Sequence, residues 1–173
     1  MSQVMHYYRH PVSGTGSHGY TANNSGSGYG DYGYLFVDFS ATTYDWDGMN
    51  DVVNGNNANL AVAELCHHAG VSVNMAYGPN ASGSQTSYAA AALKNYFGYS
   101  SSLGYIQRYM YSNTSWNNIL QANLNTMKPV VYSGTQVAGS GHAWVLDGWE
   151  TTAQGDHYHC NWGWDGLSNG FFY

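Results

Sequence analysis

The sequence predicts an α+β fold with helices in the first part and an antiparallel sheet in the second. Two observations predict it. Apolar residues recur at helical spacing in several segments before residue 128, and short β-type runs follow at roughly regular intervals after it. The chain has 173 residues, 43% hydrophobic and 16% aromatic, enough for one domain with a sizeable core. We expect a mainly helical lobe, residues 1–127, and a β lobe, residues 128–173.

The first elements are a helix, a loop and a strand. Residues 1–8 carry apolar side chains at positions 1, 4, 5 and 8. We expect this helix to end before Pro11, because the residue before a proline disfavours helical backbone. Residues 11–34 are rich in glycine, serine, asparagine and tyrosine but poor in aliphatic residues, which predicts a loop. A short strand is predicted over residues 35–39.

Helical signals follow this strand. Residues 43–46 are predicted to begin a helix, with Asp45 as its N-cap and Trp46 anchored on the core. The clearest helix covers residues 58–69 and is expected to end at Gly70. Its predicted apolar face consists of Ala58, Ala61, Val62, Leu65, Cys66 and Ala69.

A strand over residues 71–75 and a loop over residues 77–85 lead to a helix over residues 87–97. Ser87 is its predicted cap and Gly98 its predicted end. The expected apolar face of this helix consists of Ala89, Ala92, Leu93 and Tyr96.

The last predicted helix covers residues 115–127, between a capping Ser115 and Pro129. Its expected apolar face consists of Trp116, Ile119, Leu120, Leu124 and Met127. After it the apolar period changes from helical to β-type. The predicted strands are residues 130–132, 142–146, 157–161 and 170–173.

His142 and Asn161 are the candidate catalytic residues. His142 follows the glycine-rich stretch 139–141, where a substrate backbone can approach closely because glycine has no side chain. If strands 142–148 and 157–161 form an antiparallel hairpin, Asn161 lies near His142. An asparagine oxygen that accepts from one imidazole N–H fixes the ring and leaves the other nitrogen facing a nucleophile.

Composition excludes two classes of partner. Charged residues make up 8% of the chain, and four basic residues against ten acidic ones leave a net charge of −6. This charge makes nucleic acid a poor partner. No apolar run approaches membrane-spanning length, and we expect no signal peptide within the first residues given. It starts within a helical pattern and stops within an aromatic strand, so we expect a fragment cut at both ends.

Several motifs in register resemble the streptopain-type cysteine peptidases, which have a papain-like two-lobed fold. They are Gly-His-Ala-x-Val-x-Asp-Gly from Gly141, Tyr-His-x-Asn-Trp-Gly-Trp-x-Gly from Tyr158, and Gly-Phe-Phe from Gly170. Segments 61–65, 70–79, 92–99 and 128–130 fit the same family in the same order. Residues 1–7 resemble the helix that carries the family's catalytic cysteine.

The resemblance implies a role for each matching residue. His142 matches the general base and Asn161 the residue that orients it. Gly141 and the segment Ser82, Gly83 and Ser84 match positions that line the substrate cleft. Trp162 and Trp164 match an aromatic wall that shields the catalytic hydrogen bond from water. No metal or other cofactor is implied.

The nucleophile is expected to be missing, because the chain begins just after the position of the family's cysteine. Cys66 is predicted to be a buried core thiol and Cys160 to point to the strand face opposite Asn161, so neither fits the role. His157 and His159 share a strand face but form only half of a metal site.

We therefore interpret the chain as a fragment of a cysteine endopeptidase that hydrolyses polypeptides and is inactive as given. The resemblance implies a protein secreted by a bacterium as a zymogen, with its own propeptide as inhibitor. The alternative is a non-catalytic secreted module that binds peptide or carbohydrate through its aromatic, weakly charged surface.

Overall fold

The chain opens with a helix because its apolar residues fall on one face. Helix α1 covers Ser2–Tyr8, with Val4 and Met5 buried, and Arg9 ends it in the left-handed conformation at φ 49°. The helix predicted over residues 1–8 is confirmed.

The computed structural model describes residues 1–23, 28–53, 58–137, 139 and 141–173.

A β-hairpin replaces most of the loop predicted over residues 11–34. Strand β1 (Ser17–Asn23) pairs antiparallel with strand β2 (Asp31–Asp38), which contains most of the strand predicted over residues 35–39. Residues 24–27 of the predicted loop lie outside the described residues. The loop prediction is wrong for the two strands that the structure describes.

The loop was predicted because the segment has few aliphatic residues, but strands β1 and β2 contain tyrosine, phenylalanine and glycine at many of their positions. Tyrosine and phenylalanine are good strand formers, and Tyr32, Tyr34 and Phe36 alternate along β2 with their side chains exposed. A Cβ atom at Gly19 would lie 2.4 Å from the hydroxyl oxygen of Tyr34. Glycine in β1 therefore lets the tyrosine ring lie across the strand.

Residues 43–46 do not begin a helix. Thr43 forms an antiparallel bridge with Ser13, and the carboxylate of Asp45 accepts from the N–H of Gly48 at 3.0 Å, which closes a turn. The residues after this turn have no apolar face at helical spacing, so no packing against the core would stabilise a helix here. The predicted anchoring of Trp46 is confirmed, because Trp46 is buried.

Helix α2 covers Leu60–Ser72 and is capped by Asn59, whose side-chain oxygen accepts from the N–H of Val62 at 2.9 Å. Gly70 lies inside the helix rather than at its end. The strand predicted over residues 71–75 is also wrong, because two of these residues form the last turn of α2 and Val73 is its C-cap. A short alternation of apolar residues does not distinguish a helix end from a strand.

Helix α3 covers Thr86–Asn95, with Gln85 at the N-cap position and no side-chain cap. Ser87, the predicted cap, is already inside the helix. The predicted apolar face is confirmed, because Ala92 and Leu93 are buried and their neighbours on that face pack against the same core.

One core joins α1, the hairpin, α2 and α3. Its buried side chains are aromatic and aliphatic, and they come from segments far apart in the sequence. The buried members are Met5, Val37, Phe39, Tyr44, Trp46, Met49, Leu65, Val71, Val73, Ala92, Leu93 and Phe97. These elements belong to the first of two compact units, Met1–Tyr105.

The second unit, Ile106–Tyr173, has a short 3-10 helix at Arg108–Met110, followed by helix α4 at Asn113–Leu124. Ser112 caps it by accepting from the N–H of Ser115 at 3.1 Å. The predicted cap, Ser115, is therefore the donor. On the predicted apolar face Trp116, Leu120 and Leu124 are buried, whereas Met127 is exposed beyond the end of the helix. The lobe boundary predicted at residues 127/128 remains a prediction.

The four predicted β runs form one antiparallel sheet in sequence order. Its strands are β3 (Val130–Thr135), β4 (Gly141–Thr152), β5 (Gly155–Asn161) and β6 (Gly170–Phe172). One face of the sheet packs against α4 and buries Leu146 and Cys160. The predicted order of helices and antiparallel strands is thus confirmed in this unit. Across the described parts of the chain, no helix is long and apolar enough to cross a membrane.

Candidate active site

The hairpin of β4 and β5 carries both predicted catalytic residues. Its antiparallel pairing is confirmed, with Val145 opposite Asn161. His142 is the second residue of β4 and lies opposite Gly134 of β3. Gly141 precedes it at the start of the strand and is exposed. The predicted base thus stands at one end of β4, and the predicted orienting residue stands at the last position of β5.

The half-buried imidazole of His142 is held by a backbone carbonyl. Its Nε2 lies 2.9 Å from the carbonyl oxygen of Trp162. A carbonyl oxygen can only accept, so Nε2 carries the hydrogen. In the neutral ring Nδ1 is then the nitrogen with a free lone pair, able to take a proton. This contact thereby fixes the neutral ring in the tautomer that carries its hydrogen on Nε2.

Asn161 closes a turn beside this histidine. Its side-chain oxygen accepts from the N–H of Gly163 at 3.1 Å, the i to i+2 pattern of an Asx turn. This turn directs the carbonyl group of Trp162, which follows Asn161, toward the imidazole of His142. The orienting role of Asn161 stays a prediction, and the structure adds the backbone of Trp162 as the group that contacts the ring.

Three tryptophan rings surround His142. The ring centroid of Trp164 lies 4.7 Å away, that of Trp162 at 6.0 Å and that of Trp144 at 6.3 Å. Trp164 is 51% exposed and its ring stacks on that of Trp162 at 21°. The predicted aromatic residues therefore do lie beside the histidine. Their effect on substrate or water remains a prediction.

Two residues that sequence reasoning missed hold Trp162 in place. The side-chain oxygen of Asn169 accepts from its backbone N–H at 3.0 Å, and the carbonyl oxygen of Ser168 accepts from its indole N–H at 3.0 Å. Both lie in a turn whose composition is a recognisable loop signal. The loop composition does not indicate which residue the turn contacts.

Ser82, Gly83 and Ser84 belong to the first unit. Gly83 and Ala76 exchange two backbone hydrogen bonds of 2.9 and 3.0 Å, which close the loop between α2 and α3. The two serines flank this bridge and are exposed. Their predicted contact with substrate remains a prediction, as does that of Gly141.

The two cysteines differ in exposure. Cys66 is exposed on α2, so the predicted burial of its thiol is wrong. The buried face of α2 includes Leu65, His68 and Ala69, and residue 66 lies about 100° from residue 65 around the helix. Cys160 is buried, and burial raises the pKa of its thiol.

The two histidines of β5 contact other partners. Nδ1 of His159 lies 2.5 Å from the carboxylate of Asp147, and His157 packs beside the ring of Tyr173. Asp147 thus makes a hydrogen bond at a bulge in β4. Among the residues described, no three histidine, cysteine or carboxylate side chains are placed to hold a metal ion.

Comparison with known proteins gives a consistent result. The pattern of the peptidase C10 family matches residues 1–172. Streptopain from Streptococcus pyogenes is 35% identical over 175 residues, which cover 99% of this chain and 43% of streptopain. The thiol protease/hemagglutinin PrtT of Porphyromonas gingivalis is 31% identical over 176 residues, 100% of this chain and 19% of its own. The chain thus spans less than half the length of these relatives.

Two solved structures from Prevotella intermedia are similar as well. Active wild-type interpain A, a cysteine protease, superposes with a TM-score of 0.84 at 36% identity, over 99% of this chain and 70% of its own. A fragment of prointerpain A in which one cysteine is mutated to alanine gives the same TM-score at 37% identity, over 99% of this chain and 53% of its own.

Proposed function

The chain belongs to the peptidase C10 family of cysteine peptidases, and from this premise we propose that His142 is the general base of a cysteine endopeptidase. The predicted papain-like α+β fold is confirmed by the similarity to interpain A. The observation that carries the proposal is the hydrogen bond between Nε2 of His142 and the carbonyl oxygen of Trp162.

Nδ1 of His142 takes the proton of a cysteine thiol, and the resulting thiolate attacks the carbonyl carbon of a peptide bond. The imidazolium then donates that proton to the leaving amine. Water hydrolyses the thioester, again with His142 as base, and restores the thiol. The carbonyl of Trp162 and the turn at Asn161 hold the ring throughout these steps. Trp162 and Trp164 limit the access of water to it.

We propose that Gly141 and the segment formed by Ser82, Gly83 and Ser84 bind the main chain of a polypeptide substrate. Gly141 presents no side chain next to His142, so a substrate backbone can approach the base. The 82–84 segment offers the backbone groups of two exposed serines and the hydroxyl of Ser82. These groups can bind a main chain of any sequence.

We also propose that the nucleophile lies outside residues 1–173. Cys160 is buried with a raised pKa, which disfavours the reactive thiolate. Cys66 lies in the middle of α2, away from the helix N-terminus that would stabilise a thiolate. Residues 1–173 alone are then inactive. Labelling of this chain by a thiol-reactive peptidyl probe that is lost in H142A would contradict this proposal.

The full-length gene product tests the role of His142. We expect H142A to lower kcat/KM for a fluorogenic peptide by about 10³-fold or more, because it removes the base. N161A should cause a smaller loss. H157A is the matched control, a half-buried histidine on β5 that packs beside Tyr173, and it should stay within about twofold of the wild type. Activity retained in H142A would exclude His142 as the base.

A non-catalytic module that binds peptide or carbohydrate is the second candidate. The rings of Tyr34 and Phe36 on β2 are 67% and 54% exposed and stack at 6.5 Å and 20°. Exposed stacked rings of this kind suit a flat ligand surface. Peptidase activity that depends on His142 would reject this candidate, whereas a full-length protein with no activity would favour it.

We further propose export from a bacterial cell as a zymogen. The solved prointerpain A fragment supports a propeptide by its similarity, and the low charge of the chain suits an extracellular protein. Recovery of the protein from culture medium that lacks a cytoplasmic marker enzyme tests export. A larger, inactive precursor that gains activity on processing tests the zymogen.

A further inference from the structure

His18 of β1 joins the hairpin to the ends of two helices. Its Nε2 lies 2.7 Å from the side-chain oxygen of Asn74, just past α2. Its Nδ1 lies 3.2 Å from the hydroxyl oxygen of Tyr96, at the end of α3. An amide oxygen only accepts, so Nε2 donates to Asn74 and Nδ1 accepts from the tyrosine hydroxyl. Both ring nitrogens of a neutral imidazole are thereby used.

Asn74 needs such a partner because its backbone is strained. Its φ is 51°, in the left-handed region. This conformation is unfavourable for an ordinary residue, although asparagine tolerates it better than most residues do. The hydrogen bond from His18 holds the side chain of Asn74 and with it this backbone turn. Asn74 is where the chain leaves α2 for the loop that contains Ser82, Gly83 and Ser84.

The same loop is tied at its base by two further contacts. The hydroxyl of Tyr20 donates to the carbonyl oxygen of Met75 at 2.5 Å, and the hydroxyl of Ser84 donates to the carbonyl oxygen of Val73 at 2.5 Å. Residues 73–75 therefore form a fixed base for the loop. His18 and Tyr20 of β1 both contact that base from outside the loop.

We propose that His18 is a positioning residue, which acts through Asn74 to hold residues 76–84 in the conformation that binds substrate main chain. This inference rests on the proposed function of Ser82, Gly83 and Ser84. His18 contacts neither the reacting atoms nor the substrate. Loss of its hydrogen bond weakens binding in the ground state and the transition state alike, so KM rises while kcat is unchanged.

The surroundings of His18 allow a chemical rescue. His18, Asn74, Tyr88 and Tyr96 are among the residues that line a cavity of about 140 Å³ that is partly open to solvent. Replacement of His18 with alanine enlarges this cavity by the volume of an imidazole ring. Free imidazole added to H18A can then enter and restore the hydrogen bond to Asn74.

The test uses the full-length enzyme and a matched set of variants. H18A and H18N should raise KM about fivefold, the effect of one lost hydrogen bond of roughly 1 kcal/mol, with kcat per titrated active site unchanged. H18Q should stay near the wild type, because the glutamine amide nitrogen matches the position of Nε2. N74G keeps the left-handed turn without strain and removes the acceptor, so H18A should have no further effect on KM in the N74G background. H67A, an exposed histidine on α2, is the control.

Hydrogen exchange separates this inference from the proposed function. In H18A the amides of residues 76–84 should exchange faster, those of α2 should not, and imidazole should reverse the change in H18A but have no effect in the double variant of H18A and N74G. Unchanged exchange at residues 76–84, or equal acceleration of α2, overturns the positioning role. If the enzyme proves to have no activity that depends on His142, the proposed function fails and the exchange data alone decide the role of His18.

Discussion

Gly70 and Tyr77 lie very close together in the first unit. A Cβ atom at Gly70 would lie 2.0 Å from the hydroxyl oxygen of Tyr77. That hydroxyl is buried and has no hydrogen-bond partner among the described residues, and burial raises the pKa of Tyr77. The lack of a side chain at Gly70 therefore leaves room for the hydroxyl of Tyr77 beside α2. The place of this glycine in the helix interior is otherwise unfavourable.

We expect G70A to destabilise the protein. Alanine gains about 1 kcal/mol of helix propensity over glycine, but overpacking costs about 1–3 kcal/mol, and a 2.0 Å approach is a severe clash. We expect the clash to win, with a net loss of about 1 kcal/mol in the free energy of unfolding. Urea denaturation measures it. The loss should shrink in the Y77F background, where the hydroxyl is gone, and an equal loss in both backgrounds would exclude this contact as the cause.

At the same scale, the sequence pointed to His142 more readily than to the group that contacts its ring. A histidine between glycines and an apolar strand has a pattern that can be recognised. The acceptor of its Nε2 hydrogen bond is a backbone carbonyl, that of Trp162. Every residue has such a carbonyl, so no sequence pattern marks the one that is used. The backbone carbonyl of Ser168, which accepts from the indole N–H of Trp162, was missed for the same reason.

Among the elements, α4 is attached to the sheet by a polar contact as well as by its apolar face. The carboxylate of Asp156 on β5 accepts from the amide of Gln121 on α4 at 2.8 Å. It also accepts from the hydroxyl of Thr151 on β4 at 2.7 Å. One half-buried carboxylate thus joins the helix to two strands.

We expect D156A to lower the free energy of unfolding by about 1–2 kcal/mol, because hydrogen bonds to a charged group are lost from a half-buried site. D156N should lose less, since the amide oxygen still accepts one bond. Thermal unfolding followed by tryptophan fluorescence measures both variants. Q121A is the matched partner, and additive effects of D156A and Q121A would show that the two side chains do not interact.

The hairpin and α2 show why some elements were not predicted. β1 and β2 combine glycine with tyrosine, so a search for aliphatic alternation does not find them. In α2 the apolar face was placed through Ala58 and Cys66, but the buried face also includes His68, whose ring nitrogen lies 3.0 Å from the hydroxyl oxygen of Tyr44. A buried histidine satisfied by a tyrosine is set by tertiary contacts. Hydrophobic periodicity treats that histidine as a polar surface residue.

On the scale of the whole molecule, the charge balance is unusual. Charged residues make up 8% of the chain, the net charge is −6 and there are eight histidines. On acidification the net charge passes through zero near the isoelectric point of about 5.6 that follows from the composition. Large aromatic side chains are exposed at the same time, among them Tyr34, Phe36 and Trp164.

This combination predicts association at mildly acidic pH. Near pH 5.6 charge repulsion between molecules vanishes, and exposed rings then bring them together. We expect light scattering to peak near that pH and to fall toward neutral pH, where the formal net charge is −6. A double variant, Y34S with F36S, removes two rings that are 67% and 54% exposed and should scatter less at the peak. Scattering that does not vary between about pH 5 and 8 would show that charge does not limit association. A double variant that scatters as much as the wild type would show that the molecules do not associate through the rings of Tyr34 and Phe36.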